Sequence, residues 1–169
     1  MRFCVVSSIG YYRETLRIPS WQASTGRDQA HDFLTPQPPR KVSVFLLRMI
    51  LHDWSNEYYC VKVLRHLRAA AQSSTKLFIV DNTRMLATRP SPRTSLERPP
   101  APEPLLPSFG QSSAIAYYTD LNMMSLFNDQ ERPVLQLKEL LKECDWKLVE
   151  VYYGDPFTVG QSKSMAVPA

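Results

Sequence analysis

The strongest pattern in the chain is an apolar run, Val44-Phe45-Leu46-Leu47 and then Met49-Ile50-Leu51, interrupted only by Arg48 and ending abruptly at His52-Asp53-Trp54-Ser55. Bounded by Pro38-Pro39 before and polar residues after, it predicts a parallel strand over about 43–50, covered on both faces. Ligands of such sheets bind beyond the carboxyl ends of the strands, so His52 is expected at that mouth. Arg48 within the run predicts a buried guanidinium that needs a partner. A helix is expected over about 56–71, with Tyr58, Val61, Leu64, Leu67 and Ala71 inward and Lys62, Arg65 and Arg68 outward. Asp53 or Ser55 is placed to cap it.

The alternation continues as in α/β proteins. Leu77 to Val80 predicts a second parallel strand that delivers Asp81 to the same edge as His52. A helix over about 115–127 carries Tyr117, Tyr118, Leu121, Met124 and Phe127. Pro133 suits the first turn of another, whose Leu137, Leu140, Leu141 and Cys144 recur at helical spacing. Lys147 to Tyr153 and Ser162 to Val167 read as two strands joined through Gly154-Asp155-Pro156. Between the second strand and these helices, residues 82–114 hold seven of the fourteen prolines, all from Pro90 to Pro107, and predict a poorly ordered surface excursion. Residues 1–26 show no sustained period and are expected to be a poorly ordered leader.

Composition narrows the function classes. With 169 residues and 44% hydrophobic content the chain can bury one modest core. Its net charge of +4 is spread along the sequence rather than clustered with aromatics, which argues against nucleic acid as a partner. No apolar stretch approaches the ~20 residues of a membrane helix, so no membrane partner is expected. The opening Met1 to Gly10 has one positive charge and a short apolar run, but no small-residue cleavage site before Tyr11-Tyr12-Arg13-Glu14, and does not read as a targeting segment. Three cysteines and three histidines share no metal-ligand spacing. The expectation is therefore no metal, reduced thiols and a cytoplasmic location.

The motif Leu51-His52-Asp53-Trp54-Ser55-Asn56-Glu57, followed by a helix and then Lys76-Leu77-Phe78-Ile79-Val80-Asp81, resembles the C-terminal catalytic domain of the S-adenosylmethionine-dependent O-methyltransferases. These are the caffeate-type plant enzymes and fungal secondary-metabolite enzymes that methylate phenolic hydroxyls. The resemblance runs from about Arg27 to Ala169. It implies an α/β fold: the C-terminal half of a class I methyltransferase (Rossmann-like) sheet, closed by an antiparallel hairpin. Four strands of seven would then remain, leaving the strand at 43–50 as an uncovered edge.

The resemblance also implies roles. His52 matches the general base, Asp81 the acid after the next strand, and Glu131 in Gln130-Glu131-Arg132 the second acid. Asp32, in His31-Asp32-Phe33-Leu34, matches an acceptor for the cofactor's adenine amino group, Phe33 the apolar residue on that ring, and Arg48 a basic residue near the cofactor. Met124 and Asn128 match positions facing a phenolic substrate, and Asp53 is a candidate for substrate contact. The sequence departs from the family in four respects. Its five glycines form no close pair opening a helix, as the cofactor's methionine end requires. The acidic residue at the end of the family's second strand, which binds the cofactor's ribose, has no counterpart. Asp81 replaces a glutamate, and Pro133 follows Glu131-Arg132 where threonine or serine is usual. The helical N-terminal domain through which family members dimerise has no counterpart.

Two functions follow as expectations. One is methyl transfer from S-adenosylmethionine to an aromatic hydroxyl, impaired by the missing glycine loop. The other is a non-catalytic chain that associates with a full-length relative. Apart from the resemblance, duller roles compete: His52 in a strand-to-helix turn with local bonds only, Asp53 as a helix cap, Met124 as core filler, and Glu131 as a solvated carboxylate near a helix start.

Overall fold

The computed structural model describes residues 3–7, 32–38, 41–86, 95–153 and 161–169. The described residues form one five-stranded sheet with three α-helices. The strands are β1 (Phe3–Ser7), β2 (Val44–Arg48), β3 (Lys76–Asn82), β4 (Trp146–Tyr153) and β5 (Gln161–Pro168). The helices are α1 (Val61–Ala70), α2 (Ala114–Phe127) and α3 (Val134–Glu143). Across the sheet the order is β1-β2-β3-β5-β4. The first three strands are parallel, and β5 runs antiparallel to both β3 and β4. The antiparallel hairpin thus exists, with β5 between its partner and the parallel strands; its turn lies outside the described residues.

The strand at 43–50 is shorter than expected, and it is no edge. β1 pairs with β2 in parallel register from Phe3↔Val44 to Ser7↔Arg48. Phe3-Cys4-Val5-Val6 is too short a run to announce a strand by itself. Paired, it satisfies backbone groups of β2 that would otherwise lie open along a sheet edge. The rest of the leader lies outside the described residues.

The core occupies one face of the sheet. Phe45 and Leu47 of β2 and Leu77 and Ile79 of β3 point to it and are fully buried, as the strand period of two requires. Against them α1 sets Val61, Leu64 and Leu67, and α3 sets Val134, Leu137, Leu140 and Leu141. Trp146 opens β4 beneath both helices, and its indole N–H donates to the carbonyl of Leu64 at 3.1 Å. On the opposite face Leu46, Phe78 and Val80 are only partly buried, so β2 is not covered on both sides.

The first turn of the expected 56–71 helix is wound as a π-helix, Asn56–Cys60, before α1 begins. The extra residue per turn rotates Tyr58 out of phase with Val61, Leu64 and Leu67, leaving it 63% exposed. Neither expected cap acts on α1: the residue before the helix is Cys60, without a side-chain cap bond, and Ser55 accepts from Tyr59 and Cys60 N–H through its backbone carbonyl. Pro133 precedes α3 as its cap residue rather than entering the first turn. Within the proline-rich excursion, residues 87–94 lie outside the described set. Residues 95–114 pack on the end of β4, where Tyr153 donates to the Leu96 carbonyl at 2.8 Å and its oxygen accepts from Arg98 N–H at 2.9 Å. Ala101 there is fully buried.

Candidate active site

His52 is delivered by an abrupt change of backbone direction. Met49, directly after β2, takes a left-handed conformation (φ 52°) while its N–H still donates to the Val80 carbonyl at 2.9 Å. Non-glycine residues adopt that conformation uncommonly. It ends the strand and turns Ile50 and Leu51 into the core, so that the single turn Leu51–Asp53 holds His52 at the carboxyl edge of β2 and β3, only 4% exposed.

Glu131 reaches His52 from the segment between α2 and α3. Its Oε1 lies 3.0 Å from His52 Nδ1 and also accepts from Asn82 Nδ2 at 3.0 Å. The carboxylate is fully buried, and its backbone N–H donates to Asp120 Oδ1 at 2.8 Å. Asp120 is itself held by Arg84 at 2.9 Å. With the Nδ1 proton fixed toward Glu131, Nε2 is the nitrogen left to take a proton from elsewhere. Asp53 Oδ1 lies 3.4 Å from Nε2, close enough to stabilise an imidazolium but longer than a good hydrogen bond.

Arg132 locks this arrangement. It is buried, and its guanidinium donates to the carbonyls of Leu51 and Trp54, which bracket His52, and to both carboxylate oxygens of Asp129. A planar fork of donors suits such divergent acceptors, which a lysine could not span. Arg132 and Asn82 are functional residues that the sequence pattern does not reveal. An arginine directly after a buried glutamate was the available signal; the bond from Asn82 depends on packing that no local pattern reports.

The electrostatics set the proton affinities. Burial alone would lower the pKa of His52, but the bond to Glu131 and the charges of Asp81, Glu131 and Asp53 outweigh it and leave it raised. Burial pushes Asp81 up to about 7, against the lowering pull of His52. Asp81 is partly exposed as a residue, yet its Oδ1 is shut off from solvent and lacks a hydrogen-bond partner. Once ionised it acts on His52 through charge, while Glu131 makes the direct bond.

Both shifts have the same consequence for stability. A histidine whose folded pKa is raised contributes fully below ~6.5 and loses that contribution as pH rises through the folded value. Asp81 keeps its proton in the folded state up to about 7, whereas the unfolded chain releases it near 3.8, so stability falls across that interval. Melting temperature is therefore expected to drop as pH rises from about 4 through 7, where Asp81 contributes, and on above 6.5, where His52 does, and the drop to be shallower in Asp81→Asn. Thermal unfolding of both proteins across that range checks this.

The remaining candidates lie around this centre. Asp32 is exposed, and its Oδ1 accepts from Leu34 N–H at 2.9 Å, an Asx turn that fixes the carboxylate's direction. Phe33 is half-buried and meets Trp54 edge-on at 5.8 Å, which links this segment to the His52 turn. His31 lies outside the described residues. Arg48 corrects the expectation of a buried guanidinium: it ends β2 and is exposed, because the Met49 turn directs the following residues, not Arg48, inward. Asn128 ends α2 in the left-handed conformation (φ 55°), its N–H donating to Met124 O, a cap position that asparagine tolerates. Met124 is 57% exposed and is not core filler. Among the described residues no cluster of three or more histidine, cysteine, aspartate or glutamate side chains could hold a metal ion, and no helix is long and apolar enough to cross a membrane.

A histidine held by a buried acid at the edge of a parallel sheet occurs in several protein families, and similarity to known proteins narrows them. The chain is 46% identical over 129 residues to 4-O-methyltransferase 1 of Phanerochaete chrysosporium, covering 73% of this chain and 27% of that protein. It is 40% identical over 149 residues to an O-methyltransferase of Armillaria gallica, covering 82% and 31%. The chain belongs to the O-methyltransferase family. The matched region is the C-terminal part of these proteins, and the chain spans only 27–31% of their length. The sheet is correspondingly part of a class I methyltransferase fold. It superposes on LepI, solved in complex with S-adenosylmethionine, with a TM-score of 0.66 at 19% identity, covering 99% of this chain and 36% of that one. No protein-family model matches the chain.

Proposed function

We propose that the chain carries the proton-abstracting half of an O-methyltransferase that moves a methyl group from S-adenosylmethionine to the hydroxyl of an aromatic small molecule. The observation that carries this reading is the buried His52–Glu131 pair, 3.0 Å apart at the carboxyl edge of β2 and β3. The described residues fit only the adenine end of the cofactor. Asp32 has its carboxylate steered by Leu34 and open to an amino donor, and Phe33 offers a flat apolar surface beside Trp54. No described segment offers the glycine turn needed by the methionine end.

When bound, S-adenosylmethionine supplies a methyl group on a sulfonium that leaves as a neutral thioether. The task left to the protein is the acceptor's proton. A phenol with a pKa of ~10 gives it up more readily to an imidazole whose affinity has been raised, and His52 is raised by Glu131 and its neighbours. His52 Nε2 would take the phenolic proton of an acceptor held at this edge, leaving the oxygen as the nucleophile for the methyl group that the bound cofactor would supply. Glu131 then faces an imidazolium, which its charge stabilises, and Asp53 faces the newly protonated Nε2. Met124 and Asn128, near the end of α2, are the residues proposed to face the acceptor.

Calorimetric titration of the chain with S-adenosylmethionine and S-adenosylhomocysteine tests the reading. Micromolar binding that is abolished in Asp32→Ala is the expected result, whereas no heat from a folded sample would count against it.

One observation favours the second reading, a non-catalytic chain that associates with a full-length relative. α2 buries none of its residues and exposes Ile115, Tyr118, Leu121, Leu126 and Phe127, and exposed apolar side chains in such number favour a partner. Its occupant would be the portion of a relative's length that this chain does not span. Co-elution with such a relative, lost in Leu121→Asp, would support it.

A further inference from the structure

The site contains two orphaned atoms that face one another's surroundings. Glu131 spends Oε1 on His52 and Asn82, while its Oε2 is buried without a hydrogen-bond partner. Asp81 receives a backbone hydrogen bond from Ile50, while its Oδ1 is likewise buried and unpartnered. The two residues do not bond to each other, yet both line a single cavity of about 10 Å³, together with His52, Asn82, Ser162 and Ser164. That is about the smallest space that holds one water molecule, and a buried water needs two to four polar partners, which this cavity provides.

We propose that one water molecule occupies this cavity, accepting a hydrogen bond from the protonated carboxyl group of Asp81 at Oδ1 and donating one to the carboxylate of Glu131 at Oε2, so that one proton serves both acids. Two ionised carboxylates enclosed with a neutral imidazole would leave buried charge uncompensated, at a large desolvation cost. One shared proton removes one of the charges without breaking the His52–Glu131 bond. The aspartate is what makes the space: a side chain one methylene shorter than glutamate stops short of its neighbours, and water completes the connection. Asp81 is then a positioning residue, which holds Glu131 through the water and so sets the proton affinity of His52. The inference rests on the site geometry and holds whether or not the chain binds S-adenosylmethionine.

Two measurements on the intact chain test it. In a crystal structure at about 1.5 Å resolution, a single water peak is expected within ~2.6–3.2 Å of both Asp81 Oδ1 and Glu131 Oε2, and it should be absent from Asp81→Glu, whose longer arm fills the space. In a carbon-13 carboxyl titration by NMR, Asp81 is expected to titrate near neutrality and Glu131→Gln to move that titration by a unit or more. An empty cavity, a metal ion at coordination distance in place of the water, or an Asp81 that titrates in the ordinary carboxylate range would overturn the proposal. Because the wild-type protein carries both primary readouts, a variant that fails to fold does not shield the proposal.

Discussion

Replacing Arg132 with alanine is expected to destabilise the protein by about 3–5 kcal/mol, the range for removing one partner of a buried charged network. Its guanidinium satisfies the carbonyls of Leu51 and Trp54 and pairs with Asp129, all in surroundings with little access to water. Without it, Asp129 is left as a buried carboxylate whose pKa burial already pushes up and which Arg132 now pulls down. The two carbonyls lose their charged donor as well, keeping only the weaker Cys60 thiol and, for Leu51, the Trp54 N–H, and a buried carboxylate left unpaired costs far more than the net value of the bond it made. At ~2–4 °C per kcal/mol for a chain of this size, the melting temperature should fall by roughly 6–20 °C. Arg132→Lys is expected to recover little of this, because one ammonium cannot reach acceptors held apart by a planar fork. Denaturant and thermal unfolding of the two variants measure the effect; a loss below ~1 kcal/mol would show that the His52 turn is held by its own packing.

The second large effect concerns chemistry. In an assembly competent for methyl transfer, His52→Gln is expected to lower kcat by about 10²–10⁴-fold, the usual contribution of a positioned general base. Glutamine keeps the polar contact with Glu131 but cannot take the phenolic proton. The loss should shrink as pH rises toward the phenol's own pKa of ~10, where the acceptor ionises without help. Wild-type activity should increase with pH through a value above 6.5, in keeping with the raised proton affinity of His52. Steady-state rates of both proteins across pH check this, and a constant ratio at all pH values would assign His52 to positioning alone.

The alternation of strands and helices from Lys41 onward was legible because it rests on local periodicity, and α1, α3, β3, β4 and β5 lie where that periodicity puts them. β1 was not legible, because four apolar residues become a strand only through pairing with β2, some forty residues away in sequence. Helical spacing puts Tyr58 on the inward face, and the structure turns it outward because the period of 3.6 fails across the π-helical turn before α1. Arg48 is exposed against expectation for a related reason: the apolar run continues past the end of the strand, and nothing in the run marks the left-handed turn at Met49.

The site was legible in outline. His52 and Glu131 were singled out through the resemblance, and the structure brings them into direct contact. The division of labour between the two acids was not readable. Which carboxylate reaches Nδ1 depends on where the segment between α2 and α3 passes over β3, and that is fixed by Arg132, Asn82 and Asp120. These long-range contacts have no expression in spacing.

The central claim is that His52 is a buried base whose proton affinity is raised by Glu131. NMR titration of the His52 ring, in the wild-type chain and in Glu131→Gln, tests it most directly. The account predicts a wild-type pKa above the ordinary 6.5 and a clear fall in the variant. A wild-type value at or below 6.5 that the substitution leaves unmoved would contradict it.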